Sequence, residues 1–271
     1  MMQSAKNLLL ILCFFAVGQV PVLAQSNTIL QRIPPPPGYE RIHVEEGSFA
    51  ASLRRLELKP EGSNVRDKKG EEILCGEELV AVIDEKPVPV EVSRGTEGAI
   101  KLWGAYRWSK GRRDGISFGL DNGQRATWRD WRDGLRPREH EGRMLFMQVG
   151  VPDRSQANFL RYLTFVAENA SALSLKRDLE IILPENLSPG DILLSTGDTG
   201  GQVALVLDAC RNAKAEKLFL IAMGGDDNSD LYIPHPFEPL QGEGAWFTYD
   251  GACYAVGLGD PTAIRRFKLN P

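Results

Sequence analysis

The 271-residue chain carries 32 Lys and Arg against 36 Asp and Glu, a formal charge of -4, with 42% hydrophobic and 25% charged residues. This ordinary globular composition argues against a disordered, collagenous or multi-span membrane chain. A pI near 5.6 argues against a general nucleic-acid binder.

Residues 1–24 read as a secretory signal. Lys6 supplies the positive start, an apolar run follows from Leu8 to Gly18, and Val22-Leu23-Ala24 puts small residues at the two cleavage-site positions. At a helical rise of about 1.5 Å per residue, that run is too short to cross a bilayer core of about 30 Å. Cleavage near Ala24 predicts an exported protein, periplasmic or secreted, with no transmembrane span in the mature chain. No Cys follows the cleavage site, so no lipid anchor is indicated. Cys75, Cys210 and Cys253 remain, an odd count that allows at most one internal disulfide. None opens a predicted helix, and each reads as a buried or structural thiol.

Residues 25–47 form a proline-rich arm. Pro34 to Pro37 favours polyproline II, as either a bound strap or a linker. Residues 48–271 read as one domain. Ser48 caps a short helix with Phe49, Leu53 and Leu56 at helical spacing. Residues 59–70 are polar and Gly-rich, hence loop or hairpin. Leu79 to Ile83 reads as a buried strand. Residues 93–109 read as a helix with Ala99, Ile100, Trp103 and Tyr106 on one face. Ile116 to Leu120 and Met144 to Val149 read as strands. Asp153 to Asn169 is the clearest helix, with Asp153 as cap and Gln156 as its capping-box partner. A short helix follows over roughly Ala172 to Ile181. Strands are then expected at Asp191–Ser195, Val203–Leu207, Leu218–Met223, Ala245–Thr248 and Tyr254–Gly257. The expected class is α+β, with first-half helices packed on a mainly antiparallel sheet from the second half.

Motif chemistry is sparse. There is no G-x-S-x-G elbow, H-E-x-x-H or Walker A pattern. Gly197 to Gly201 reads as a hairpin turn. Asp226, Asn228 and Asp230 have alternate calcium-loop spacing, but Leu231 and Phe237 stand where such a loop needs Gly and Glu. The polar-turn reading is preferred, and no metal or other cofactor is expected. Trp128 and Trp131 read as core anchors, with a sugar-binding surface as the alternative. Charge is uneven: Arg107 to Arg143 holds ten Lys/Arg against six Asp/Glu. That stretch is either a solvated face or a basic rim for an anionic envelope polymer.

Several segments together resemble the family catalogued as domain of unknown function 4846. They include I-P-P-P-P-G-Y-E-R-I at 33–42, G-S-F-A-A-S-L-R at 47–54, A-V-I-D at 81–84 and A-Y-R-W-S-K-G-R-R-D-G-I-S-F at 105–118. W-R-D-W-R-D-G at 128–134, N-F-L-R-Y-L at 158–163, L-S-L-K-R-D-L at 173–179, P-G-D-I-L-L at 189–194 and V-A-L-V-L-D at 203–208 continue the match. The resemblance implies an exported bacterial protein whose layout looks like papain-like, NlpC-type hydrolases. In that layout a Cys opens the first long helix and a His opens the strand after the G-D motif. Here Gly95 and Gln202 stand at those positions, so the resemblance implies a chain without thiol chemistry. Either the pair was lost or it was never catalytic.

The expected function is a catalytically degenerate scaffold, not an enzyme, that binds a cell-envelope peptide, glycan or protein, with peptidoglycan or an envelope protein as partner. Candidate cleft residues are Arg94, Gly95, Tyr106, Trp108, Asp191, Gln202 and Asp208. One alternative is a cell-wall amidase or peptidase using Asp191 or Asp208 with a water. Another is a structural envelope subunit docked through the proline arm.

Overall fold

The computed structural model describes residues 27–67, 69–84, 95–141, 143–196, 201–224, 230–237, 242–257 and 263–268. The expected signal segment 1–24, Arg94, most of the expected 197–201 turn and the Asp226–Asn228 stretch lie outside them. Seven helices are described: α1 Ile29–Arg32, α2 Phe49–Leu53, α3 Gly95–Ser109, α4 Trp128–Arg132, α5 Gln156–Asn169, α6 Ala172–Asp178 and α7 Tyr249–Ala255. With a ten-stranded antiparallel sheet they make an α+β fold.

The sheet is built around the longest strand, Val203–Asn212. On one side it pairs with Lys217–Met223. On the other its first half pairs with Asp191–Leu194 and its second half with Tyr39–Arg41. The strand is buried on both faces over Val203 to Cys210, which is why it reads as an unbroken apolar run. Val203, Leu205 and Leu207 face the main core, and Ala204 and Val206 face a second core containing Ala252 of α7 and Val256, which caps its end. A bulge falls between Val206 and Asp208. Beyond it the parity reverses: Ala209 joins the second core and Cys210 the main one. One extra residue in a strand of period two does this.

The helices of the main core cluster around α3, which is buried almost all round. Gly98 lies against Leu231 and Gly104 against Leu163, so side chains there would prevent the close approach. Trp128 and Trp131 are core residues, 1% and 8% exposed, and the Trp131 Nε1 donates to Asn158 Oδ1 at 3.1 Å. Trp108 stacks on Phe159 with ring centroids 4.3 Å apart.

The proline arm is a strap. Ile29 and Ile33 are buried, and the Trp246 Nε1 donates to the Pro34 carbonyl at 2.9 Å. Its Tyr39–Arg41 strand is an integral sheet member.

Several boundaries differ from expectation. Tyr254–Gly257 is not a strand: Thr248 caps α7, its side chain accepting from Gly251 N at 3.0 Å. Ala252 and Val256, four apart, put one helix stripe into the second core. Helix α5 begins two residues later than expected. Ser155 is its cap, and Asp153 instead accepts from Ser155 N at 2.8 Å. The strand expected at Met144–Val149 spans Arg143–Gln148, and its partner Leu135–His140 was not expected. The sequence L-R-P-R-E-H has neither apolar alternation nor a run, and a Pro demotes a strand reading.

Candidate functional site

The expected Cys and His positions are brought together. Gly95 opens α3, and a Cβ built on it would stand 2.1 Å from the Val203 carbonyl oxygen. Position 95 therefore touches the residue following Gln202. The Gln202 side chain is exposed, and its backbone pairs with Ser195, the Ser195 N donating to Gln202 O at 2.9 Å. Helix and strand meet backbone to side, with no room for a side chain at position 95.

The other candidates are dispersed. Tyr106 is buried, its hydroxyl donating to the Gly47 carbonyl at 3.2 Å. Asp191 is 1% exposed and is held by Arg266, at 2.6 Å from Nε and 2.7 Å from Nη2, and by Ser188 N at 2.9 Å. Burial raises the Asp191 pKa against the pull of Arg266. Asp208 is fully buried. Arg41 Nε donates to its Oδ2 at 2.6 Å and Arg54 Nε to its Oδ1 at 2.7 Å. Both carboxylates are themselves buried; Asp208 binds two mostly covered arginines, and Asp191 binds the part-exposed Arg266. Each is the acceptor of an ion pair within the fold.

The thiols also divide. Cys75 is exposed, so the burial in the buried-or-structural reading does not apply to it, and it precedes a single turn at Gly76–Glu78. Cys210 is buried, and burial pushes its thiol up to about 12. Cys253 is half-buried; burial raises its pKa too. All three are free. The thiolate is the reactive form, so iodoacetamide at mildly alkaline pH should label Cys75 first and Cys210 only on unfolding. Rapid labelling of folded Cys210, read by peptide mass spectrometry, would contradict this packing.

The basic stretch gathers into a concavity of about 460 Å³. It is lined by Arg107, Arg112, Arg113, Arg132 and Arg154, with Asp114, Trp128, Gly111 and Gly115. The end of α3 supplies Arg107, and the following loop supplies Arg112 and Arg113. Arg132 comes from α4, and Arg154 from the segment leading into α5. The Arg113 guanidinium carbon lies over the Trp108 ring, 3.9 Å from its centroid, and Trp108 in turn stacks on the core residue Phe159. Arg132 is held by Asp114 and by Asp133, at 2.9 Å from Nε. Arg107 is 4% exposed. Burial, and then the charge of Arg112, lower its pKa. Five lining guanidiniums, against Asp114 in the lining and Asp133 behind Arg132, leave this concavity cationic on a chain that is anionic overall. Guanidiniums bind carboxylate and phosphate through paired N–H donors, so an anion is the ligand chemistry the concavity suits. The sequence showed the charge but not its closure, because Arg154 and Arg107 lie far apart along the chain. Among the described residues there is no cluster of His, Cys, Asp and Glu suited to a metal.

An α+β protein with a tight helix–strand contact at Gly95 and a separate arginine-lined concavity is the class this geometry defines. The family model described as Domain of unknown function (4846) matches residues 29–251, and the chain belongs to that family. No solved structure matches it.

Proposed function

We propose that this chain is a non-catalytic binding protein of the cell envelope, built on a papain-like scaffold and exported after cleavage near Ala24. It holds an anionic group of an envelope glycan or peptide in the arginine concavity. The observation that carries the reading is the convergence of Arg107, Arg112, Arg113, Arg132 and Arg154 around one opening of about 460 Å³. Two further observations support the non-catalytic part. Position 95 has no space for a nucleophile, and Asp191 and Asp208 are bound to arginines.

The test uses residues 25–271 incubated with peptidoglycan sacculi, with the pellet assayed for protein and the supernatant for released fragments. The protein should pellet without releasing fragments, and added salt should weaken binding, because exposed charges are screened within about 10 Å at 0.1 M ionic strength. Arg112→Glu with Arg113→Glu should weaken binding by tenfold or more, on the order of 1.4 kcal/mol. The melting temperature should stay within a few degrees. Released fragments would overturn the non-catalytic reading. Binding that ignores both salt and the double variant would overturn the arginine site.

A further inference from the structure

The hairpin Leu135–His140/Arg143–Gln148 forms its own two-stranded sheet, outside the ten-stranded one. Its cross-strand register sorts the side chains into two unlike faces. On one face Pro137 pairs with Phe146 and Glu139 with Met144. Phe146 and Met144 pack on the main core, and Phe146 meets the Phe165 ring edge-on at 6.0 Å. On the other face Arg136 pairs with Met147, Arg138 with Leu145 and His140 with Arg143. Arg136 is committed to the protein: its guanidinium lies 4.4 Å from the Trp131 ring and donates to Asn158 Oδ1 at 3.1 Å.

The remainder of that outer face is exposed. Leu145 is 40% exposed and Met147 48%, and Val149 at 49% and Val151 at 82% continue the apolar strip past the strand end. Arg138, His140 and Arg143 stand exposed beside it. Among the described residues none of these three makes an ion pair or a side-chain hydrogen bond. The two acids of the hairpin are elsewhere, Glu139 on the opposite face and Glu141 in the turn.

An apolar strip bordered by uncommitted cations is the composition of a surface that lies at a lipid interface. The apolar side chains enter the acyl boundary, and long arginine stems keep their charges at the phosphates. We propose that the outer face of this hairpin docks on an anionic phospholipid surface, with Leu145, Met147 and Val149 inserted and Arg138 and Arg143 at the headgroups. Charge complementarity selects the occupant: the face carries positive charge and no carboxylate, on a chain of net charge -4. No described helix is long and apolar enough to cross a membrane, so the contact is peripheral. This site uses different residues from the arginine concavity and does not rest on it.

The test is flotation of residues 25–271 with vesicles of phosphatidylcholine alone and of phosphatidylcholine mixed with phosphatidylglycerol. The protein should float with the mixed vesicles and not with phosphatidylcholine. Arg138→Glu with Arg143→Glu should reduce partition by about fivefold or more per reversed charge. Leu145→Ser with Met147→Ser should reduce it by tenfold or more. Both variants lie on an exposed face and should melt with the parent. Arg112→Glu with Arg113→Glu, in the concavity, should float as the parent does. Absence of flotation with mixed vesicles would overturn the proposal. So would hairpin variants that float unchanged, or loss confined to the concavity variant.

Discussion

Replacing Asp208 by Ala should lower the unfolding free energy by about 3–5 kcal/mol, the usual cost of removing one partner from a buried ion pair. Asp208 joins three parts of the molecule: its own strand, Arg41 of the proline arm and Arg54 just beyond α2. Both arginines are mostly covered, with side chains 18% and 11% exposed. Each is also held by a backbone carbonyl, Arg41 by Ile33 and Arg54 by Ile42, both at 2.6 Å. They cannot follow solvent without abandoning those bonds. Loss of the carboxylate leaves two guanidiniums together with no counter-charge and also removes the acceptor used by Ala209 N at 2.8 Å. Asp208→Asn should recover little, because a neutral amide keeps one acceptor and loses the charge. Urea unfolding monitored by tryptophan fluorescence measures the effect, and Trp246, bonded to Pro34 in the same strap, reports on the arm. A loss under about 1 kcal/mol would mean that the three parts are held chiefly by apolar burial.

The second large effect is at Gly95. Gly95→Ala and Gly95→Cys should each destabilise the protein by roughly 1–3 kcal/mol or more, the range for overpacking. The expected equality of the two substitutions is the informative part. Both add the same Cβ against the Val203 carbonyl, and backbone cannot swing aside as a flexible side chain can. A thiol at the start of α3 would otherwise be favoured there, since a helix N-terminus lowers a thiol pKa. What position 95 lacks is space rather than electrostatic support. Gly95→Cys with Gln202→His should therefore release no fragments from sacculi. Fragment release by that pair, with stability close to the parent, would show that the scaffold yields easily and that only the two side chains separate it from a hydrolase.

The local reading of the chain was good wherever a segment carries its own signal. Ser48 accepts from Ala51 N at 3.1 Å, as its cap position predicts. Ala99, Ile100, Trp103 and Tyr106 are all buried along α3. It was poorest where one short run fits two periods. Tyr254 to Gly257 is short and apolar enough for a strand, and the signal for α7 lies outside that run, at the Thr248 cap. Candidate site residues were harder still. Asp191 and Asp208 follow turn and strand signals that place them on the chain but cannot say whether each meets solvent or an arginine.

By itself, then, the sequence determined the α+β class, the family and most element positions, because caps, helical periodicity and apolar runs act over a few residues. Tertiary structure alone decided the rest, because it depends on contacts between distant residues. A single bulge turns Asp208 toward Arg41 and Arg54. Sheet pairing with the Val203–Asn212 strand makes the proline arm a strap. Helix docking closes Arg107, Arg132 and Arg154 around one opening. The register of an unforeseen strand gathers Arg138, Leu145 and Met147 on one exposed face.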